Sequence, residues 1–431
     1  MKNVFLSLLV TFILLQGSSI KAQHLTTSTY TRYGIGDLFE NGFGQTQAMG
    51  GAGYALRSLE NINETNPASF TSLALHSFIF EIGYLGRFSQ EQTSGISQTD
   101  FNANLCYMAI AFPITKWWGT SIGLHPYSNV GYEIDVNGDG PVGSNTTASY
   151  KYSGTGGFNE FYIGNAFKIG RYFSVGFNAG YIFGTIQHIS SVSLADLTGN
   201  EYDYTITNRF TANDIHLNYG IQFEKIFNEK YVINAGVILD NKSTIKAENS
   251  LVIEDYLRVN QSTFDTVYTT SKVDDKMTLP MNLGFGIAFS NFYHYTIAAD
   301  YTMQDWSKAN FFGATNSTFG PMSSFSIGAE YLPKAGSPYY FNNIRYRIGG
   351  HYTNTYYEIP QPDSNVPAKI TDVGFSFGLG FPLRGSRSVF NVAFEFGQRG
   401  NASPTMTQER YAQITLNLSL HDLWFFKPKF E

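Results

Sequence analysis

The sequence predicts an all-β chain: a transmembrane antiparallel β-barrel of about 14 strands, with an N-terminal hatch segment plugging the lumen. Three observations predict it. The 431 residues include 37 Phe, 29 Tyr and 4 Trp, so aromatics reach 16% while charged residues fall to 14%, against about 25% charged in an ordinary soluble domain. Segments of ten or more residues alternate apolar with polar side chains, and successive strand residues face opposite sides of a sheet. Finally, the joints between these segments alternate between short and long, as in bacterial outer-membrane barrels with their tight periplasmic turns and longer external loops.

The same composition excludes other classes. Beyond the N-terminus no run approaches the roughly 20 apolar residues of a spanning helix. A net charge of −6 offers nucleic acid no general attraction. Cys106 is the only cysteine, so neither an intrachain disulfide nor a cysteine-based zinc site can form.

Taken in order, residues 1–22 read as a signal peptide. Lys2 precedes an apolar core from Val4 to Leu15, and cleavage is expected between Ala22 and Gln23. Residues 23–75 do not alternate; they are rich in glycine and small polar residues, either hanging in the periplasm or folding into the lumen as a hatch. The barrel is expected over 76–420, with strands near 76–88, 100–114, 117–134, 148–169, 172–189, 204–226, 231–247, 277–290, 293–306, 322–333, 341–357, 370–382, 388–399 and 409–420. The last is the clearest: Ala412, Ile414, Leu416, Leu418 and Leu420 alternate with Gln413, Thr415, Asn417 and Ser419. These strands exceed the usual five or six residues, and lipid outside with a polar lumen explains their two faces. Short joints such as Thr115-Lys116 and Gly170-Arg171 alternate with long ones such as 135–147, 190–203, 248–276 and 307–321. Both termini then face the periplasm of a Gram-negative cell. Residues 421–431 break the alternation and are expected at the periplasmic rim, where Trp424 and its neighbouring phenylalanines suit the interface.

Two short motifs in the pre-barrel segment, Ala48-Met49-Gly50-Gly51-Ala52-Gly53 and Asn66-Pro67-Ala68, resemble the FadL/TodX family of outer-membrane transporters of hydrophobic compounds, in its Bacteroidota-type branch. The resemblance covers essentially the whole mature chain. It implies that Gly50, Gly51, Gly53, Asn66, Pro67 and Ala68 belong to a hatch. It also implies that a kink in the third strand opens a lateral gap, here near Pro126 and Gly131. Proline cannot donate to a strand ladder, so Pro126 should break pairing locally, unless that stretch simply lies above the membrane. Some members of the family are accessory barrels of protein-secretion or assembly machines.

Strand two is apolar on both faces: Leu105, Tyr107, Ala109 and Ala111 on one, Cys106, Met108, Ile110 and Phe112 on the other. Met108, Ile110 and Phe112 could line a ligand pocket or pack against the hatch. Arg345 and Arg347, with His351, are expected inside; either could grip a ligand carboxylate. With Asp300, Glu330 and Glu395 on inward faces and Glu60 and Glu64 in the hatch, a structural ion-pair network is the favoured account.

No constellation supports an enzyme. Gly374-Phe375-Ser376-Phe377-Gly378 lies within a strand rather than at the strand–turn–helix a nucleophile elbow requires. Asp135-Val136-Asn137-Gly138-Asp139-Gly140 begins like a calcium loop, but Thr146 stands where its bidentate glutamate belongs. No metal or cofactor is expected. The sequence is read as a channel for passive uptake of hydrophobic compounds such as long-chain fatty acids, with hatch gating and lateral release at strand three. The expected partners are outer-membrane lipid and hydrophobic small molecules. The other reading is an accessory barrel subunit, bound to protein partners of a secretion or outer-membrane assembly complex.

Overall fold

The computed structural model describes residues 28–424, apart from 40–41, 94, 140–146, 196–200, 258–263, 293, 312–313, 316–318, 362–363 and 404–405. The expected signal peptide and residues 425–431 of the tail lie outside the described residues.

A closed antiparallel barrel of 14 strands forms the wall. They are β1 (Ser77–Thr93), β2 (Ile96–Thr115), β3 (Trp118–Asp139), β4 (Thr147–Ile169), β5 (Phe173–Ala195) and β6 (Glu201–Phe227). β7 has two segments, Tyr231–Asp240 and Ser243–Leu257, and β8 also has two, Phe264–Leu279 and Asn282–Asn291. Then follow β9 (Tyr295–Asp305), β10 (Pro321–Tyr331), β11 (Arg345–Gln361), β12 (Ser364–Pro382), β13 (Val389–Arg399) and β14 (Gln408–Leu423). Each strand pairs with its neighbour in sequence, and β14 closes on β1 from Gln408 opposite Gln92 to Leu423 opposite Ser77.

Side-chain direction is the inverse of a soluble core. In β14, Glu409, Tyr411, Thr415, Asn417, Ser419 and His421 are buried inside, while Ile414 and Leu420 are exposed. β12 repeats this: Val373, Phe375 and Phe377 face outward, and Ser376 is buried. Apolar residues outside satisfy lipid, and the closed ladder satisfies the backbone. Among the described residues no helix is long and apolar enough to cross a membrane; the strands do so.

Two expectations need correction. The expected loop 248–276 is largely a paired hairpin of the upper segments of β7 and β8, with Tyr256 opposite Phe264 and Ser243 opposite Leu279. This hairpin projects beyond the barrel body, so neither face needs lipid and the apolar alternation that identifies a membrane strand is absent. The chain also does not leave the sheet after Leu420: His421, Asp422 and Leu423 pair with Ile79, Phe78 and Ser77, and the Trp424 ring stacks on Phe78 with centroids 4.2 Å apart.

Candidate functional site: the barrel interior and the β2–β3 break

The described part of the N-terminal segment runs inside the barrel, since it touches inward faces all round the wall. Residues 44–47 form a single helical turn and Pro67–Ser72 a 3-10 helix. Asn66 caps the latter, its Oδ1 accepting from the Ala68 N–H at 3.1 Å, with Pro67 at the first helical position, where no N–H is needed. Asn66 Nδ2 donates to the Tyr54 carbonyl at 2.8 Å. The Gly53 and Tyr54 N–H groups both donate to Asp300 of β9, at 2.6 and 2.7 Å. The Gly50 N–H donates to Ser376 of β12 at 2.9 Å, so the serine of the discounted Gly-x-Ser-x-Gly pattern is a backbone acceptor. Gly50 and Gly51 have φ of +69° and +88°, which a side chain would strain.

The wall makes room with glycines on its inward face. A Cβ at Gly236 would lie 2.0 Å from the Tyr54 carbonyl oxygen, at Gly119 2.1 Å from that of Phe70, and at Gly349 2.2 Å from the Met49 carbonyl carbon. These wall glycines were missed in the sequence; their signal is glycine recurring on the polar phase of a strand.

Ion pairs close the turn end of the interior. Arg345 bridges Glu60 at 2.9 Å and Glu330 at 3.2 Å. Arg347 donates through Nε to Glu330 at 2.7 Å and through NH1 to Asn391 at 2.6 Å. Arg57 reaches Glu224 at 3.1 Å and Gln222 at 2.8 Å. Both expected arginines are therefore engaged in the structural network.

Above this layer lies a central cavity of about 280 Å³. Its lining mixes charged groups, among them Glu64, His125, Glu160, His216, Asp300, His351, Asp372 and Arg399, with apolar and aromatic side chains such as Leu38, Phe39, Ile238, Met322 and Tyr356. Most of these groups contact one another: His125 approaches Glu64 at 3.7 Å, His216 Glu160 at 3.3 Å, and His351 Asp372 at 3.6 Å. Burial raises the Glu64 carboxyl above its ordinary range against the pull of His125. Arg399 ties Asp372 at 2.9 Å to Asp37 of the N-terminal segment at 2.7 Å. Over the cavity an apolar cluster packs Tyr30 and Ile35 against Val130, Phe158 and Tyr356 of the wall and Trp306 just past β9. Among the described residues no group of His, Cys, Asp or Glu is arranged to hold a metal. Asp135–Asp139 run within β3, and the rest of the calcium-like motif is outside the described residues.

The expected pocket on strand two is reversed. Tyr107, Ala109 and Ala111 are buried inside, and Met108, Ile110 and Phe112 take the outer face, Met108 being 39% exposed. The cause is a bulge: Gly83 of β1 faces Tyr107 while Tyr84 faces Leu105, leaving Cys106 as the extra residue. Cys106 is buried beside Tyr107, so alternation shifts by one along the strand. Phe43 stacks on Tyr107 with centroids 3.8 Å apart.

Pro126 lies beside a break. β2 and β3 pair from Thr115 opposite Trp118 up to Met108 opposite Leu124, and the ladder stops there. On its other side β3 bulges between Pro126 and Ser128 against β4. The N-terminal segment takes over the edge of β3 that β2 leaves. Asp37 and Leu38 pair with Asn129 and Ser128. The Phe39 N–H donates to the Tyr127 carbonyl at 3.1 Å, and the Ser28 N–H to that of Gly131 at 2.8 Å. The Gly131 N–H donates to Thr31 Oγ1 at 3.1 Å. Gly36 fits this contact because a Cβ there would lie 2.0 Å from the Asn129 oxygen.

Solved structures share this architecture. The toluene transporter TodX of P. putida matches with a TM-score of 0.59 and 15% identity, over 90% of this chain and 100% of its own. A Pseudomonas aeruginosa FadL homologue matches at 0.55 and 10%, over 90% and 100%. The monoaromatic hydrocarbon channel CymD matches at 0.53 and 13%, over 91% and 99%. At such identities the likeness establishes the fold, which is that of outer-membrane channels for hydrophobic compounds; the proteins that share it are channels and transporters rather than enzymes. No curated protein matches the chain. The family model described as BamG matches residues 2–431, and the chain belongs to the BamG family.

Proposed function

We propose that this barrel acts through protein partners in the Gram-negative outer membrane, as an accessory subunit of a secretion or assembly complex. In this reading residues 1–22 are a signal peptide, 23–75 a hatch, 76–420 the barrel and 421–431 a periplasmic tail, with both termini in the periplasm. The observation that carries it is the interior: a cavity whose many acidic and basic groups largely contact one another, or the segment that fills the lumen. Burying an apolar ligand there would desolvate those groups without offering them a polar contact in exchange. The hatch is a structural filling, and Gly50, Gly51, Gly53, Asn66, Pro67 and Ala68 hold it in place.

A second reading, uptake of hydrophobic compounds such as fatty acids, is favoured by the β2–β3 break beside Pro126 and Gly131. An amphipathic molecule would enter from the loops, displace residues 28–39, and leave sideways into the bilayer. The driving force would be the burial of apolar surface, about 25 cal/mol per Å².

Native mass spectrometry of the tagged protein, extracted mildly from its own outer membrane, separates the two. A stoichiometric protein complex without a small ligand is expected. A lone barrel carrying a fatty acid or other hydrophobic compound would overturn the accessory reading in favour of uptake.

A further inference from the structure

The end of the barrel bearing the short turns has a surface the interior does not explain. Its turns and strand ends expose Lys116, Arg171, Lys230, Lys334, Arg384 and Arg387, and also Lys225. Exposed carboxylates at the same end are Glu229 and Asp422, because Glu224 is engaged by Arg57. Among the described residues none of these seven cations is in an ion pair. Instead three rest on aromatic rings: Arg171 over Tyr172 at 5.7 Å, Lys225 over Phe227 at 4.9 Å and Arg384 over Tyr340 at 5.7 Å. Trp117, Phe292, Tyr339 and Phe341 stand exposed between them, the last two at 74% and 73%.

The other end differs. There exposed cations such as Arg32, Lys151, Arg209, Lys246 and Lys308 stand among carboxylates such as Glu133, Asp135, Asp203 and Asp305, and Lys151 pairs with Glu133 and Lys308 with Asp305 at 2.8 Å. The basic excess therefore belongs to one rim and is not a property of the whole surface.

We propose that this rim binds the phosphates of anionic glycerophospholipids in the leaflet it borders. Aromatic rings sit at the headgroup level of a bilayer, and basic side chains just beyond them meet lipid phosphate within a Debye length. A cation on a ring face also keeps its N–H groups directed outward, free to donate to phosphate oxygens. Exposed aromatics alone would suit any lipid. The unneutralised cations interleaved with them select negative headgroups. This holds whether the barrel is an accessory subunit or an uptake channel, because it concerns the outer rim and not the lumen.

The test is lipid retention in native mass spectrometry after reconstitution of the full chain into nanodiscs of equimolar phosphatidylglycerol and phosphatidylethanolamine. The wild type is expected to retain phosphatidylglycerol at least about 3-fold over phosphatidylethanolamine. The combined variant Arg171→Glu, Arg384→Glu, Arg387→Glu should fall to parity, and Arg171→Gln, Arg384→Gln, Arg387→Gln should fall between. Folding of each is checked by the heat-dependent gel mobility of the intact barrel. Lys151→Glu, at the far end, should leave the ratio unchanged. Equal retention of both lipids by the wild type would overturn the proposal, and so would an equal loss in Lys151→Glu.

Discussion

Leu38 of the N-terminal segment lies directly opposite Ser128 of β3, on the strand edge that β2 leaves free. The Phe39 N–H bond to Tyr127 makes Leu38–Ser128 a non-hydrogen-bonded antiparallel pair, in which Cα atoms approach to about 4.5 Å. An open β-strand edge is a template for unwanted pairing, and here the chain covers it with its own backbone.

That pair allows a direct test of the register. Leu38→Cys with Ser128→Cys should form a disulfide under mild oxidation, since the spacing is within the usual reach of the bond. The native Cys106 is buried elsewhere and should not compete. Non-reducing gel mobility checks it; free thiols in the intact barrel would show that residues 37–39 do not pair there.

Arg347 and Glu330 form the tightest ion pair of the closed layer, with the arginine 3% exposed. Arg347→Met leaves the glutamate with Arg345 as its one remaining cation and Gln45 as a neutral donor. Loss of one partner from a buried pair costs about 3–5 kcal/mol, so the heat-modifiable transition should fall clearly. Adding Glu330→Gln should restore part of it. A transition unchanged by the single substitution would mean that the pair is not holding the layer.

Gly236→Ala tests the wall-to-segment contact, because its methyl group would collide with the Tyr54 carbonyl. Overpacking of this kind costs about 1–3 kcal/mol. Limited proteolysis should cut the N-terminal segment faster in this variant. Gly138→Ala, whose Cβ would have only Tyr150 at 3.8 Å, should behave as the wild type.

Glu64 supplies a pH dependence. Burial raises its carboxyl in the folded state, so the folded protein holds a proton that the unfolded chain releases near its ordinary value of about 4.3. Stability from this group is therefore present at low pH and declines as pH rises from that value through the raised one. Glu64→Gln should flatten the decline and gain on the wild type toward neutral pH, as measured by thermal unfolding across pH. Parallel curves would exclude Glu64 as the group responsible.

Period-two alternation identified the strand class and nearly every membrane strand, because lipid on one side and polar groups on the other impose opposite demands on successive residues. It was blind where that contrast disappears, in the projecting hairpin of β7 and β8. It was misled at Cys106, where one bulged residue flips the faces of Met108, Ile110 and Phe112. The inward charges of β11 were legible as residues but not as a network, since Glu60 and Arg345 are 285 positions apart in the chain.

A lipid-facing barrel and a glycine-rich segment ahead of it follow from local composition and phase, and both are legible in the residues alone. It takes the folded barrel to show that Asp37 and Leu38 take over the edge of β3, that the wall glycines admit Tyr54 and Met49, and that charged groups gather around the central cavity. Those outcomes depend on which distant residues meet across the lumen, and strand phase says only that a side chain points inward.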